Sequence, residues 1–594
     1  MLMRLYQRCR LLIIISATMV LAACLTSQTS TVAKNPVAVP TQLYSYPAQE
    51  NNNQNITYEN NAIPSASLAQ LQNIDQKLNA GAYDDAQQQL AQRDSSSIQN
   101  PALAANIIIL QTKLQLLTGH PEQALAWLNQ LNSSIAMNPA QQSYVMQLRA
   151  QALYRTNQVL LSAMTDIQNH ADPKMIWTKL LLVNPEALQT PTSSQTQPLI
   201  TGWLQLAGIA AQNANHFVVL ENSLISWQQA YPQHPANDLF SLDPVVTQRE
   251  DEPKSIAVIL PLSGNYARLG QTVQQGILAA YYTSPAKSQQ KIMFYDTNTA
   301  SMSTIYQQIK TEHHSVILGP LTKEETEDLL NIAEESPRIT SLNYTNKNTP
   351  NSHFEFGLSP EDEAKQIAEL AWRQGKSSAI IISTKTEKGQ QTANAFIQAW
   401  SHLGGQVVDR YNYVNNDDFS TSISDLLGVT DSKWRQHLVH NTLQLHTNNT
   451  PYFRRDADMV FLIADPKMAR QIRPFIKFYA GNYLSVFATS SVYSGHTDVN
   501  SDKDLNEVYF CDMPAVLHSD APQTDRLYFV GKDAYLLAMQ QSHINTLPLF
   551  PLLGSTGKLT VNTTTHDIQR ELTCAQFKDG RATPLDTASE RPSN

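Results

Sequence analysis

A change of rhythm constrains this chain more than any other feature. From about residue 64 to 243 the apolar residues recur every three or four positions. From residue 255 short continuous apolar runs alternate with amphipathic stretches. The first pattern is that of helices with one buried face, and the second is that of strands buried on both faces. In the first part Leu68, Leu71, Ile74 and Leu78 share a helical face, and after Gly81 so do Ala82, Ala86 and Leu90. Ile107, Leu110, Leu114 and Leu117 form the next stripe; Gly119 interrupts it, and Ala124, Leu128 and Leu131 follow. A third pair runs Val145, Leu148, Ala152 and, past Thr156-Asn157-Gln158, Leu161, Met164 and Ile167. Gly81…Ala86 and Gly119…Ala124 repeat one design 38 residues apart. Glycine permits a left-handed turn, and alanine lets paired helices approach. Further helices carry Trp177, Trp203 and Trp227, and the prolines of Tyr231-Pro-Gln-His-Pro235-Ala end the run.

In the second part strands are expected at Ile256–Leu260, Ile292–Tyr295, Val316–Leu318, Ile339–Leu342, Ala379–Ile382, Val407–Asp409, Met459–Ile463 and Leu484–Ala488. Helices such as Thr272–Tyr281, Glu324–Ala333, Glu361–Trp372 and Thr392–Leu403 lie between them. This alternation predicts parallel sheets covered on both faces, in two lobes. A lobe boundary is expected near 345–358, where Asn, Thr and Pro cluster. Past residue 490 the rhythm is irregular. Glu507–Phe510 is strand-like, Asp525–Gln541 reads as a helix, and Leu559–Asn562 with Ile568–Leu572 reads as a hairpin.

The start of the chain has a different chemistry. Arg4, Arg8 and Arg10 precede an apolar run of twelve residues, Leu11–Ala22. A membrane-spanning helix needs about 20 apolar residues, so the run fits the core of a secretion signal. Leu21-Ala22-Ala23-Cys24 follows and resembles the bacterial lipobox, in which the cysteine is lipidated and becomes the new N-terminus. The alternative is an ordinary signal peptide with a cysteine close by. Residue 25 is Leu rather than an inner-membrane-retaining Asp, which points to the outer membrane. Residues 25–60 are rich in Thr, Ser, Gln, Asn and Pro and read as a disordered tether. At ~3.3 Å per residue it could reach on the order of 100 Å when pulled straight. The expected organisation is a signal over 1–23, lipidated Cys24 and tether over 24–60, and an all-α domain over 61–243. A charged linker over 244–254, a two-lobed α/β domain over 255–582 and a loose tail over 583–594 follow.

Without the signal, 39 Lys and Arg (42 less three) face 51 Asp and Glu, a net charge of −12. Such a chain is a poor partner for nucleic acid, whose phosphates need cations. Cys511 and Cys574 remain once Cys9 is cut away and Cys24 lipidated. In an oxidising compartment they either pair or stay as two buried thiols. Cysteine spacing for a metal is absent, and no cofactor is expected.

The run Ile256-Ala-Val-Ile-Leu-Pro-Leu-Ser-Gly264…Gly270…Gly276 resembles the first strand and helix of type I periplasmic binding proteins. Val316-Ile-Leu-Gly-Pro-Leu321 resembles their second cleft loop. The paired helices resemble tetratricopeptide-type hairpins, with a longer period than ~34 residues and without the consensus aromatics. In order, the lipobox, tether, helical hairpins ending in Tyr231-Pro-x-His-Pro-Ala, α/β module and closing Gln576-Phe-x-Asp-Gly580 resemble the LpoA family. Its members are outer-membrane lipoprotein activators of class A penicillin-binding proteins. The resemblance implies a regulator rather than an enzyme. It implies an outer-membrane anchor through covalent lipid, a class A bifunctional synthase as partner, peptidoglycan as a further contact, and stimulated transpeptidase cross-linking. The competing reading is a lipoprotein receptor that senses a small polar solute between the lobes.

Ser263, Gly264, Tyr266, Gly319, Pro320, Asn343 and Tyr344 fall at expected C-terminal strand ends, where open α/β sheets bind ligands. They either line a solute site or make tight turns around a closed cleft, and the resemblance favours the second. Ser284-Pro-Ala-Lys287 matches the S-x-x-K of penicillin-binding enzymes but lacks the partner S-D-N and K-T-G elements. His313-His314 reads as a polar helix end. The stretch 425–450 stands out as a candidate insertion without an assigned role.

Overall fold

The computed structural model describes residues 63–92, 100–131, 137–188, 197–242, 253–285, 290–345, 352–415, 417–443, 451–518 and 525–585. The signal, Cys24, the tether, most of the linker, Lys287, residues 444–450 and the last residues of the tail lie outside them. Among the described residues no helix is long and apolar enough to cross a membrane.

Nine helices occupy the described part of the first region: α1 Ser65–Asn79, α2 Tyr83–Ala91, α3 Pro101–Leu117, α4 Pro121–Leu128, α5 Pro139–Arg155, α6 Val159–Gln168, α7 Pro173–Leu182, α8 Pro198–Asn213 and α9 Phe217–Ala230. Proline opens five of them, where its missing N–H costs nothing. Asn100 caps α3 through Ala102 and Leu103 N–H, and Asn138 forms a capping box with Gln141 on α5. The hairpin turns share one device. Gly81, Gly119 and Asn157 all have positive φ (77°, 82° and 57°). Asparagine thus takes the left-handed position in the third turn, one repeat after Gly119. Two apolar cores run through the helices, one around Leu71, Ile107 and Leu128, the other around Trp177, Trp203 and Trp227.

The second region holds two sheets, as expected for two α/β lobes. The first has strand order β2-β1-β3-β4-β5 and is wholly parallel. Its strands are β1 Ser255–Leu260, β2 Lys291–Asp296, β3 Val316–Leu318, β4 Arg338–Ser341 and β5 His353–Glu355. Helices α10 Ala267–Thr283, α11 Met302–Thr311 and α12 Lys323–Leu330 connect them. The second has order β15-β14-β10-β9-β8-β6-β7. Its parallel strands are β6 Ser378–Thr384, β7 Gln406–Tyr413, β8 Met459–Leu462, β9 Ser485–Ala488 and β10 Val508–Asp512. Helices α13 Pro360–Arg373, α14 Glu387–His402, α15 Phe419–Leu426, α16 Val429–Leu443 and α17 Pro466–Ala480 alternate with them. After α18 Pro514–Leu517, α19 Arg526–Met539 and α20 Gln541–Thr546, a small antiparallel sheet forms from β11 Leu552–Leu553, β12 Lys558–Val561 and β13 Ile568–Glu571. The antiparallel pair β14 Thr573–Lys578 and β15 Arg581–Pro584 then closes the second sheet.

Three expectations need correction. His353–Glu355 lies inside the expected lobe boundary but is the fifth strand of the first sheet; its three residues carry no β-branched run to reveal it. The second sheet is mixed rather than parallel, because its last two strands turn back through Asp579-Gly580, both at positive φ (52° and 72°). That is the two-residue hairpin turn such a dipeptide favours. The same hairpin carries Thr583 and Pro584 in a strand, so the chain remains ordered past residue 582. The cysteines are joined: Cys511 and Cys574 face each other across the β10–β14 register and form a disulfide over a 63-residue interval.

Helix α19 crosses back from the C-terminal region onto α10 of the first lobe. The contact is backbone-close: a Cβ on Gly276 would lie 1.9 Å from Tyr528 O, and one on Gly531 2.2 Å from Val273 O.

Candidate functional site

The strand ends that would line a cleft are tied off by their own chain. After β1, Asp296 at the end of β2 accepts the N–H of Leu262 (3.0 Å) and Asn298 (3.1 Å), and Asn298 Nδ2 donates to Ser263 O at 2.8 Å. Ser263 and Gly264 therefore sit in a braced turn, while Tyr266 projects outward with 57% of its surface exposed. Gly319, at φ +97°, packs so tightly that a Cβ would meet Ile259 O at 2.1 Å, and the Pro320 carbonyl accepts Leu342 N–H at 2.9 Å. Asn343 Nδ2 donates to Leu321 O at 2.9 Å, and the Tyr344 hydroxyl donates to Ile568 O at 3.1 Å. The structure groups Ser263, Gly264 and Tyr266 at one turn and Gly319, Pro320, Asn343 and Tyr344 around another.

The β12–β13 hairpin occupies the space beside the second group. Glu355 N–H donates to His566 O at 3.2 Å, and Glu355 bridges Asp567 in parallel. Gln366 exchanges two hydrogen bonds with Leu572, at 3.0 and 3.1 Å. Glu355 also accepts Thr345 N–H (3.1 Å) and its hydroxyl (2.6 Å). Burial pushes its carboxyl up to about 7, against those hydrogen bonds and with help from neighbouring Asp567.

The second lobe supplies a matching set. Half-buried Glu363 accepts the Ser490 N–H (3.1 Å) and hydroxyl (2.8 Å), and desolvation raises its carboxyl. Arg526 Nε donates to Asp512 at 2.9 Å, and its Nη2 also donates to the carbonyls of Ser490 and Tyr493. Asp533 of α19 accepts Ser555 N–H (2.7 Å) and Thr556 N–H (2.7 Å) and hydroxyl (2.6 Å); burial raises it too. None of Glu355, Glu363, Asp512, Arg526 or Asp533 was singled out from sequence, because they belong to no motif and their partners sit on other elements. These groups join segments rather than await a ligand, so the solute-receptor reading is not favoured.

The site offers little to a catalytic reading. Ser341 Oγ and His353 Nε2 meet at 3.3 Å, but the two residues are 0% and 1% exposed, and burial holds the imidazole down at about 4. Ser284, first residue of the S-x-x-K match, follows α10 at the surface. His314 is buried rather than an exposed helix end: Ser255 Oγ lies 2.7 Å from Nδ1 and Tyr295 Oη 2.9 Å from Nε2. Only His313, at φ +55°, takes the turn that ends α11. Among the described residues no group of three or more His, Cys, Asp or Glu is placed to hold a metal.

The helical region and the α/β region are fastened by a buried joint. The Tyr154 hydroxyl donates to Glu369 at 2.9 Å, and the Arg155 guanidinium stacks 3.8 Å over Trp372 while donating to Leu116 O at 2.6 Å. Burial pushes that guanidinium down to about 10. Trp177 Nε1 donates to Leu549 O at 2.8 Å, and its ring lies 4.8 Å from that of Phe550. Asn215 and Leu553 exchange two hydrogen bonds, at 2.8 and 2.9 Å. Leu547 and Phe550 complete the second helical core from the α/β side. Beside this joint runs an open groove of about 660 Å³, lined by Asn215, His216, Thr283, Lys532 and Leu553 among others.

A family model described as "LppC putative lipoprotein" matches residues 66–580. The penicillin-binding protein activator LpoA of Haemophilus influenzae is 27% identical over 447 residues, 71% of this chain and 71% of its own length. Its namesake from Edwardsiella ictaluri is 24% identical over 582 residues, covering 80% and 85%. A solved structure of Haemophilus influenzae LpoA aligns over 87% of this chain and 94% of its own, at 22% identity and a TM-score of 0.49.

Proposed function

Because this chain belongs to the LppC lipoprotein family, we propose that it activates a class A penicillin-binding protein and stimulates the cross-linking of peptidoglycan. The observation that carries the reading is the family match over both regions, 66–580, with relatives named as penicillin-binding protein activators. The bonds that Tyr344, Glu363, Arg526 and Asp533 make within the chain support a role in contact rather than solute capture or catalysis. In this reading Cys24 carries the lipid, the outer membrane holds it, and the tether over 24–60 sets how far the joined domains reach inward. The domain division stays as drawn from the sequence, with the α/β region extended to the end of β15. The chain regulates an enzyme and is not one. Activation is a population shift: differential contact with the active conformation of the synthase raises its share. Peptidoglycan is a further contact along the reach.

The test is cross-linking by a purified class A penicillin-binding protein, with and without the soluble chain from residue 25. The expected result is more cross-linked product at saturating chain. Unchanged cross-linking together with no measurable binding would overturn the reading. Shortening residues 25–60 while keeping Cys24 is expected to weaken function in cells but not with purified components.

A further inference from the structure

Helix α16 is built inside out. Val429 is buried at its start, but after it Ser432 is buried and Gln436 and His440 are half-buried, so the face at i, i+4 and i+8 that meets the lobe is polar. Trp434, Leu438 and Val439 face outward, with 63%, 50% and 41% of their surface exposed. A helix that only packs on its own domain does the reverse, since burying such a side chain removes apolar surface from water. Specific bonds hold this rotation. Ser432 Oγ accepts Tyr452 N–H at 2.8 Å, and Thr430 Oγ1 meets Ser424 Oγ at 2.9 Å.

The adjoining surface has the same character. Tyr452 and Tyr483 are exposed, and the Arg455 guanidinium lies 5.3, 4.1 and 4.4 Å from the ring centres of Tyr452, Phe453 and Tyr483. Exposed Lys433 and Arg435 flank Trp434, against a single acid on the helix, Asp431. Trp, Tyr and Arg are the residue types that dominate binding energy between proteins. Exposed Lys433, Arg435 and Arg455 outnumber the exposed acids beside them in sequence, Asp431 and Asp456, and the excess favours an acidic counterpart.

We propose that this patch is where the synthase docks, through an acidic protein surface with an apolar cleft for Trp434. The assignment rests on the activator reading above. An anionic membrane fits less well: stable electrostatic attachment takes a cluster of about four or more basic residues, and three cations on an acidic chain hold weakly.

The test titrates the soluble chain from residue 25 against a purified class A penicillin-binding protein. Wild type is compared with Trp434→Ala, Leu438→Ala and Arg455→Glu at low and high salt, with melting curves as the fold control. Trp434→Ala is expected to weaken Kd about tenfold or more, and Arg455→Glu to weaken it more at low salt than at high salt. Variants that bind like wild type would overturn the docking assignment and leave the activator reading standing. A wild-type chain that neither binds nor stimulates the synthase would overturn both. Sedimentation with phosphatidylglycerol-containing vesicles and solution mass measurement complete the test. The assignment is also overturned if Trp434→Ala abolishes vesicle binding or self-association while synthase binding persists.

Discussion

The cleft and helix α16 treat polar and apolar groups in opposite ways. Around the cleft, carboxylates and an arginine face partners on other elements, as in Glu363 with Ser490 and Arg526 with Asp512. On α16 the polar residues turn inward and Trp434 and Leu438 turn out. The first region is largely closed by its own chain, although Arg570 Nε and Nη1 stay buried there without a hydrogen-bond partner; the second is open. A two-lobed α/β scaffold can therefore close off its cleft with its own chain and still expose apolar side chains on an outer helix, because fold and site are separable.

The strongest way to break the closed side is at the joint. Trp177→Ala removes a ring packed at a tilt against Phe550 and the donor to Leu549 O. Loss of a buried Trp costs about 3–5 kcal/mol. Urea unfolding is expected to show that loss, with earlier proteolytic cleavage between the helical and α/β regions. A loss below about 1 kcal/mol would mean the joint is not what fastens them.

Next in size is the crossing of α10 and α19. Gly276→Leu places a side chain where even a Cβ would stand 1.9 Å from Tyr528 O. The helices must part, at a cost of about 3 kcal/mol. Thermal melting checks this, and an unchanged transition would show that α19 is not pinned to the first lobe.

How much of this was legible in the sequence follows from the distance over which each contact acts. Ile256–Leu260 announced itself because a strand buried on both faces needs five apolar residues in a row. The helical hairpins were legible because their turns need left-handed residues at fixed intervals, although Asn157 hid among polar neighbours. The Asp579-Gly580 turn carried a hairpin signal, yet β14 and β15 escaped because Gln576, Lys578 and Arg581 dilute their alternation. The closure of the cleft was not legible at all. Tyr344 finds its acceptor 224 residues away, and Gln366 finds Leu572 206 residues away, and no local pattern encodes such pairs. Helix α16 falls in the 425–450 stretch to which the sequence assigned no role: Trp434 and Leu438 have the four-residue spacing of a buried stripe, yet Ser432, Gln436 and His440 are the residues that face the lobe.

A smaller effect sharpens the cleft. Glu355 has a folded-state pKa of about 7 against an ordinary 4.5. Its favourable contribution is fully present below about pH 4.5 and is lost as pH rises through 7. Glu355→Gln keeps an acceptor for Thr345 and a donor toward Asp567 without a titrating charge. The variant is expected to flatten the fall in stability between pH 5 and 8 and to gain on the order of 1 kcal/mol at pH 8. Parallel pH profiles of melting temperature for the two proteins would contradict the assignment.

The smallest expected change is the most telling. A buried tryptophan replaced by alanine costs several kcal/mol, but Trp434 keeps most of its surface in water and its helix is held by Ser432 instead. Trp434→Ala is therefore expected to alter folding stability by less than about 0.5 kcal/mol, read by urea titration beside Trp177→Ala. Alanine also has the higher helix propensity, so a slight gain fits equally well. A loss comparable to that of Trp177 would mean that Trp434 serves the fold, and the contrast between a closed cleft and an open helix face would collapse. A stability left intact makes any loss of synthase binding in the same variant a property of the surface itself.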